Sequence, residues 1–404
     1  MTAWMASVSS DIEPSHPRAT IRGHSVPIGG DLPSRGCSKR KGSGQMKRQT
    51  LSRLSALVVA VAVASPGAPS PALAAPGAAG TWAATASMAV PRADVTVTPL
   101  GNGRILVVGA ANEPTTELYD PPTATWSPGG TLNQPRWLHV AARLADGRVL
   151  VAGGGAYTAS AELYDPSTNR WTATGSMSVD RYGFTATPLR DGRVLVVGGF
   201  SLAGTQASAE LYDPATGRWT RTASLKTARR NHTATLLPDG RVLVAGGFSS
   251  AGWLRSAELF DPARGRWARA ASMATAREHA TATLLGNGRV LVAGGGNPSA
   301  VRSAELFDPA KDRWLPTGSM TGYGGTAVLL LDGRVLNAAG GTGDVYTSAT
   351  GTWSPTGSMI FPYASAGAAL LPNGQALYVG GTKVKYCGQY SCDEPVADAE
   401  LFSP

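Results

Sequence analysis

HTATLLPDGRVLVAGGFSSAGWLRSAELFDPARGRWARAASM, running from His232 to Met273, is the clearest copy of a unit that this 404-residue chain repeats seven times. Self-similarity at a period of some tens of residues marks a repeat architecture before any other feature does. The tryptophans that close each unit, Trp82, Trp126, Trp171, Trp219, Trp267, Trp314 and Trp353, are spaced by 44, 45, 48, 48, 47 and 39 residues. Double glycines recur in step, from Gly153-Gly154 to Gly380-Gly381, with Gly109-Ala110 as a degenerate first copy.

Each unit holds four short apolar runs rich in Val, Leu, Thr and aromatic residues, too brief for helices and expected as strands. Asn-Gly or Asp-Gly joins the first two, from Asn102-Gly103 to Asn373-Gly374. These dipeptides predict a two-residue type I′ turn. The second strand runs into Gly-Gly, where the backbone can bend without a Cβ clash. The third, Ala-Glu-Leu-Tyr/Phe, stops at Asp-Pro because proline cannot continue a ladder. The fourth opens with the tryptophan. Seven four-stranded antiparallel units, none able to bury its own faces, should stack radially as blades, giving an all-β, seven-bladed propeller. The repeats begin with a lone fourth strand, Trp82 to Met88, and end on a third strand, Ala399 to Phe402. The first should complete the seventh blade and close the ring, since an unpaired edge invites aggregation. The sixth unit departs from the pattern: Asp344-Val345-Tyr346-Thr347 replaces Ala-Glu-Leu-Phe-Asp. It still counts as a blade, because Tyr346 keeps its distance to Trp353.

The double glycine, the Tyr/Phe-Asp-Pro and a tryptophan about six residues after the Asp resemble the kelch repeat, over the region from Thr81 to the C-terminus. The Gly-His and Trp-Asp marks of WD40 propellers are missing, as are the Ser-x-Asp-x-Gly-x-x-Trp boxes of sialidase-type propellers.

Residues 1–80 carry no repeat. From Met46 a basic segment (Lys47, Arg48, Arg53) precedes an apolar run from Leu54 to Ala64, then Ala72-Leu73-Ala74. That is the pattern of a secretory signal peptide, too short to span a membrane stably, with cleavage expected between Ala74 and Ala75. Residues 1–45 are expected to be an upstream extension, 46–74 the signal peptide and 75–404 the propeller, secreted or in the cell envelope. Nine of the 36 Lys and Arg and three of the 27 Asp and Glu lie in residues 1–74, so the processed chain carries about +3 rather than +9. Nucleic-acid binding is not expected at that charge. Cys387 and Cys392, the two cysteines beyond the signal, sit in the longest inter-strand loop, and an even pair in an exported chain suggests a disulfide. A Cys-x4-Cys metal half-site is the alternative, with no His or further Cys nearby. No cofactor is expected.

Four residues past the Met or Leu that ends each fourth strand stand Arg92, Arg136, Arg181, Arg229 and Arg277, with Gly324 and Tyr363 in the sixth and seventh copies. This step lies between the outer strand of one blade and the inner strand of the next. The kelch resemblance implies ligand binding on this face, around the channel, and in some cases capture of acidic peptides by arginines at this step. Converging arginines would focus positive potential on carboxylates; equally, a residue repeated in step with the fold can be an inter-blade strut. The residues after them are not repeated (Ala93, Trp137, Tyr182, Arg230, Glu278), and Trp137, Tyr182, Tyr323, Phe361 and Tyr363 could line that rim. Phe200, Phe248 and Trp253 punctuate the loops between second and third strands, as contacts for a sugar or protein or as packing against the blade. Second-strand arginines such as Arg148 and third-strand glutamates such as Glu162 recur strictly and are expected to pair across the blade.

Among kelch-like enzymes, galactose oxidase uses two histidine and two tyrosine copper ligands, a tyrosine crosslinked to cysteine, and one histidine from a C-terminal domain. Here the repeats run to Pro404, and the histidines beyond the signal are His139, His232 and His279, so copper-radical chemistry is not expected. A sialic-acid mutarotase of kelch type would need acid/base residues beside an arginine, and Glu278 or Asp180 could be cast so. No pair is specific enough to assign as catalytic. The expectation is a secreted module binding an extracellular protein, acidic peptide or glycan at the channel mouth. Its candidate residues are Arg92, Arg136, Trp137, Arg181, Tyr182, Arg229, Arg277 and Tyr363. A carbohydrate-active enzyme and a cell-envelope adhesion or assembly scaffold are the alternatives.

Overall fold

The computed structural model describes residues 80–404 apart from 111–112, 156 and 388–389, and of residues 385–392 only the backbone. The upstream extension and signal peptide expected in residues 1–74 lie outside the described residues. Seven antiparallel four-stranded sheets form blades 1 to 7. In blade 4 the strands are Thr233–Leu236, Val242–Ala245, Ala257–Asp261 and Arg266–Ala270, in spatial order from the inside out. The inner strands touch in sequence round a full circle, blade 7 meeting blade 1. No described helix is long and apolar enough to cross a membrane.

Strand alternation explains why the blades need one another. In the buried second strand of blade 4, Val242 and Val244 face the seam with blade 3, whereas Leu243 and Ala245 face the seam with blade 5. Each seam of the ring holds one such apolar cluster, seven in all among the described residues. Burying each Val or Leu this way is worth about 1.5–3 kcal/mol. On the outer half of the blade the third-strand aromatic stands opposite the fourth-strand tryptophan, as Phe260 does Trp267, with ring centroids 4.9 Å apart. The indole Nε1 of Trp267 then donates to Ala223 O in the connection leaving blade 3, at 2.7 Å.

Closure follows the sequence expectation. Thr81–Thr85 pairs with Ala399–Ser403, placing Trp82 opposite Phe402, so both ends of the repeat region build blade 7. The strand stops short of Met88, whose amide donates to Ala397 O at 2.8 Å. Blade 6 forms despite its altered third strand, Thr342–Thr347, and keeps Tyr346 opposite Trp353.

Two local expectations need correction. The Asp-Gly turns are not type I′. Gly240 has φ +86° while Asp239 stays out of the left-handed region, and the Gly240 amide donates to Leu237 O at 3.0 Å. This is a type I turn with the glycine in a G1 bulge. Asp239 works through its side chain, accepting the Arg241 amide at 3.0 Å and its Nε at 2.8 Å. That contact overturns the second expectation for Arg148, Arg193, Arg241 and Arg334, which bond their own turn aspartate, whereas Arg289 follows a turn Asn and reaches the third-strand Asp308 at 3.8 Å. Arg148 pairs with Asp146 and Arg193 with Asp191.

The loop carrying Cys387 and Cys392 is a hairpin of Thr382–Cys387 and Tyr390–Pro395, with Cys387 opposite Tyr390 and Cys392 opposite Lys385. The side chains of both cysteines, and with them the expected disulfide, lie outside the described residues.

Candidate ligand-binding rim

The antiparallel weave brings the connections between blades and the loops after the double glycines to one face. The five repeated arginines start there, yet they do not face solvent. Arg92, Arg136, Arg181, Arg229 and Arg277 are 0–1% exposed. Arg229 Nη1 donates to Gly246 O at 2.7 Å and Ser256 O at 3.0 Å, and Nη2 to Ser256 Oγ at 3.2 Å and Glu258 Oε1 at 3.1 Å. Its own carbonyl accepts the Gly199 amide of blade 3 at 2.8 Å. The residue thus braces blade 4 with its side chain and blade 3 with its backbone. The glycine is required: a Cβ on Gly198 would stand 2.4 Å from that carbonyl oxygen, and its φ is already +65°. Arg92 repeats the bond across the ring closure, pairing with Glu117 at 3.0 Å while its carbonyl accepts from Gly381 of blade 7. Burial holds Arg136, Arg181, Arg229 and Arg277 below the ordinary arginine pKa, each opposed by its glutamate. A guanidinium out of reach of solvent, with both terminal nitrogens committed to internal acceptors, is not presented to a ligand even where its Nε is unbonded, as in Arg181 and Arg277, so these five leave the candidate site as struts.

One position further on, the side chains do reach the surface. Tyr182, Arg230 and Glu278 each pair their backbone with the loop after the double glycine, at Phe200, Phe248 and Gly296. Blades 3, 4 and 5 fold that loop into a small hairpin, Phe248–Ser249 against Gly252–Trp253 in blade 4. The result is a continuous row. Tyr157, 44% exposed, meets Tyr182 at 5.9 Å between centroids, and Tyr182 meets Phe200 at 5.6 Å. Arg230 is held between two rings, its Cζ 4.8 Å from the Phe200 centroid and 5.1 Å from that of Phe248. Phe248 meets Trp253, 39% exposed, at 5.3 Å. Trp253 Nε1 donates to Glu278 Oε1 at 3.0 Å, and Asn231 Nδ2 to Glu278 Oε2 at 2.9 Å. His279 Nε2 lies 3.7 Å from the same carboxylate.

Among the described residues Arg230 has no carboxylate partner, and its buried Nε makes no hydrogen bond. The row therefore presents aromatic faces, one guanidinium fixed by the rings, and a carboxylate already oriented by two donors. Burial lowers the His279 pKa, Glu278 opposing and Arg230 assisting, so the imidazole is held towards its neutral form.

Of the other expected site residues, Tyr182 belongs to the row. Trp137 does not: it is half-buried, folded over Gly155, whose amide donates to Trp137 O at 2.7 Å. Tyr363 stands apart in blade 7, stacked on Phe361 at 5.7 Å. Sequence reasoning did not bring out Tyr157 and Asn231, nor His279 as part of this rim. Asn231 and His279 stand two residues past the repeated arginine, at a turn taken with φ +53° in both, so register was the available signal. His139 and His232 are buried scaffold, each sharing a hydrogen bond with a threonine of the preceding blade, Thr96 at 2.9 Å and Thr185 at 3.0 Å. Burial pushes both down to about 3, so they are neutral imidazoles. Among the described residues no three His, Cys, Asp or Glu converge as metal ligands.

Comparison with known proteins agrees with this geometry. The Kelch motif family model matches residues 136–178, 181–226 and 229–274. Those matches open on Arg136, Arg181 and Arg229, which places the struts inside the motif. No curated protein matches the sequence. Among solved structures, a fungal alcohol oxidase of the AA5 family in complex with copper superposes with a TM-score of 0.68 at 21% identity, over 81% of this chain and 76% of the oxidase chain. That likeness is one of fold. With Kelch motifs matched in blades 2 to 4 and the same weave carried round a closed ring of seven, the chain folds as a seven-bladed β-propeller that carries Kelch motifs.

Proposed function

We propose that this propeller is a binding module for a glycan, engaged without chemistry along the row from Tyr157 to Glu278. The observation that carries the proposal is Arg230 fixed between Phe200 and Phe248, with exposed aromatic rings on either side. Flat rings suit the C–H faces of sugars, the guanidinium suits a sugar carboxylate or hydroxyl pair, and Glu278 with Asn231 suits further hydroxyls. An acidic peptide fits less well, since one guanidinium rather than five is presented. The expected signal peptide in residues 46–74 would put this binding outside the cell.

A second reading, an enzyme acting on the same sugar, rests on Glu278 beside the near-neutral His279. The test is a glycan and acidic-peptide array probed with the full chain and with Trp253→Ala and Arg230→Ala. Glycan hits lost by both variants are the expected outcome, and hits kept by both would move the search to the blade sides and to a scaffold role. Turnover of a bound sugar, abolished by Glu278→Gln, would favour the enzyme.

A further inference from the structure

The strut fails to repeat in two blades, and the two failures differ. In blade 6 Gly324 stands at the arginine position, and the acid is shortened to Asp344. That carboxylate is satisfied locally, by Thr321 Oγ1 at 2.6 Å, the Thr321 amide at 3.3 Å and the Gly322 amide at 3.0 Å. In blade 7 the arginine is Tyr363 but the acid keeps its full length as Glu400, 2% exposed. Glu400 takes the Ile360 amide at 2.9 Å, as Glu258 takes the Lys226 amide at 2.8 Å, and then lacks the guanidinium that Glu258 has.

The rest of the guanidinium cage is also present. Gly380 occupies the position of Gly246, and Asp398 that of Ser256, whose carbonyls both accept from Arg229. Asp398 brings a second carboxylate, which accepts Tyr363 Oη at 2.8 Å. Among the described residues neither acid has a salt-bridge partner. A cavity of about 10 Å³, room for a single water, remains beside them, bounded by Glu400, Asp398, Phe361, Tyr363 and Tyr378, so a larger group has to turn the Tyr363 ring aside. Desolvation raises the Glu400 pKa to about 6, as expected of a buried carboxyl without its counter-charge.

We propose that this cavity is a cation site that takes the head of a guanidinium or primary ammonium group, in the place an arginine of the chain itself fills in blades 1 to 5. Carboxylate and carbonyl acceptors at the floor match N–H donors, and the stacked Phe361 and Tyr363 rings suit a flat or compact cation. A quaternary ammonium has no N–H to donate and is excluded on that ground. The cation has two possible sources, a free small molecule or an Arg or Lys side chain on a partner segment.

The experiment titrates the full chain with methylguanidinium, methylammonium, tetramethylammonium and an acetylated arginine amide, following thermal unfolding against matched sodium chloride. Methylguanidinium and methylammonium should raise the midpoint, and tetramethylammonium should not. Tighter binding of the arginine amide than of methylguanidinium would point to a side-chain source, and equal binding to a free cation. Glu400→Gln should weaken binding about tenfold or more, the loss of one charge-assisted bond. Tyr363→Arg should restore the strut, raise the midpoint without ligand and abolish the response. An unresponsive wild type, or a Tyr363→Arg protein that responds as wild type does, would overturn the proposal. Should Tyr363→Arg fail to fold, Glu400→Gln decides, since unchanged binding in that variant overturns it as well.

Discussion

Blades 4 and 7 carry the same buried glutamate on the same strand, and differ in what answers it. Glu258 is met by Arg229, which also caps two carbonyls and ties blade 3 to blade 4. Glu400 is met by the backbone amides of Ile360 and Phe361 and by a small cavity. Blade 7 is also the blade built from both ends of the repeat region, where Arg92 and Trp82 already fasten the closure. One blade uses its arginine as structure, and the other leaves the slot open. A residue strictly repeated in a propeller is therefore read best by what its absence leaves behind.

The largest expected effect is on the strut. Arg229→Ala strands a buried carboxylate and should cost about 3–5 kcal/mol, read from denaturant unfolding. Tyr363→Ala, at the same step of blade 7, should cost only about 1 kcal/mol, one half-buried stacked ring. Equal losses would erase the difference between the blades.

Next comes charge. Glu258→Gln leaves Arg229 buried against a neutral partner and should destabilise by about 2 kcal/mol. Glu400→Gln should do the opposite at pH 7. Its folded pKa of about 6 lies above the unfolded 4.5, so the folded state holds the proton more tightly. Stability from this group is therefore full below pH 4.5 and declines as pH rises to 6, by at most about 2 kcal/mol. The variant should lose that decline and equal or exceed wild type above pH 6. A wild-type unfolding midpoint that does not fall relative to Glu400→Gln between pH 4.5 and 6 would count against an unpaired acid.

At the rim, Arg230→Ala and Trp253→Ala should reduce glycan binding by about 1–2 kcal/mol each while moving the unfolding midpoint little, because neither braces a seam. The smallest effect sharpens the contrast among arginines of one blade. Asp239→Ala breaks the half-exposed pair with Arg241 and should cost under about 1 kcal/mol, most of it from the turn amide. Thermal unfolding in low and high salt would separate the two parts.

Blade count, strand order, ring closure and the anomaly of blade 6 were legible in the sequence, because period and turn residues are local signals that all seven copies repeat, and the Asp-Pro stop recurs in the first five. The rim was legible only in part. Tyr182, Phe200, Phe248 and Trp253 stood out as aromatic breaks in the pattern, but nothing in their spacing says that Arg230 is held between two of them. The five arginines misled for the same reason: a side chain's residue type and register are written in the chain, and its direction is not. Arg229 turns inward because Gly246 O, Ser256 O and Glu258, spread over two strands, meet only once the blade is folded. Tyr363 likewise became informative only when Gly380 and Glu400, which would have met an arginine at its position, were found together around a gap. The sequence determined the ring, since each repeat has to bury its faces against its neighbours. The tertiary structure alone decided which charges are spent inside it and which remain for a ligand.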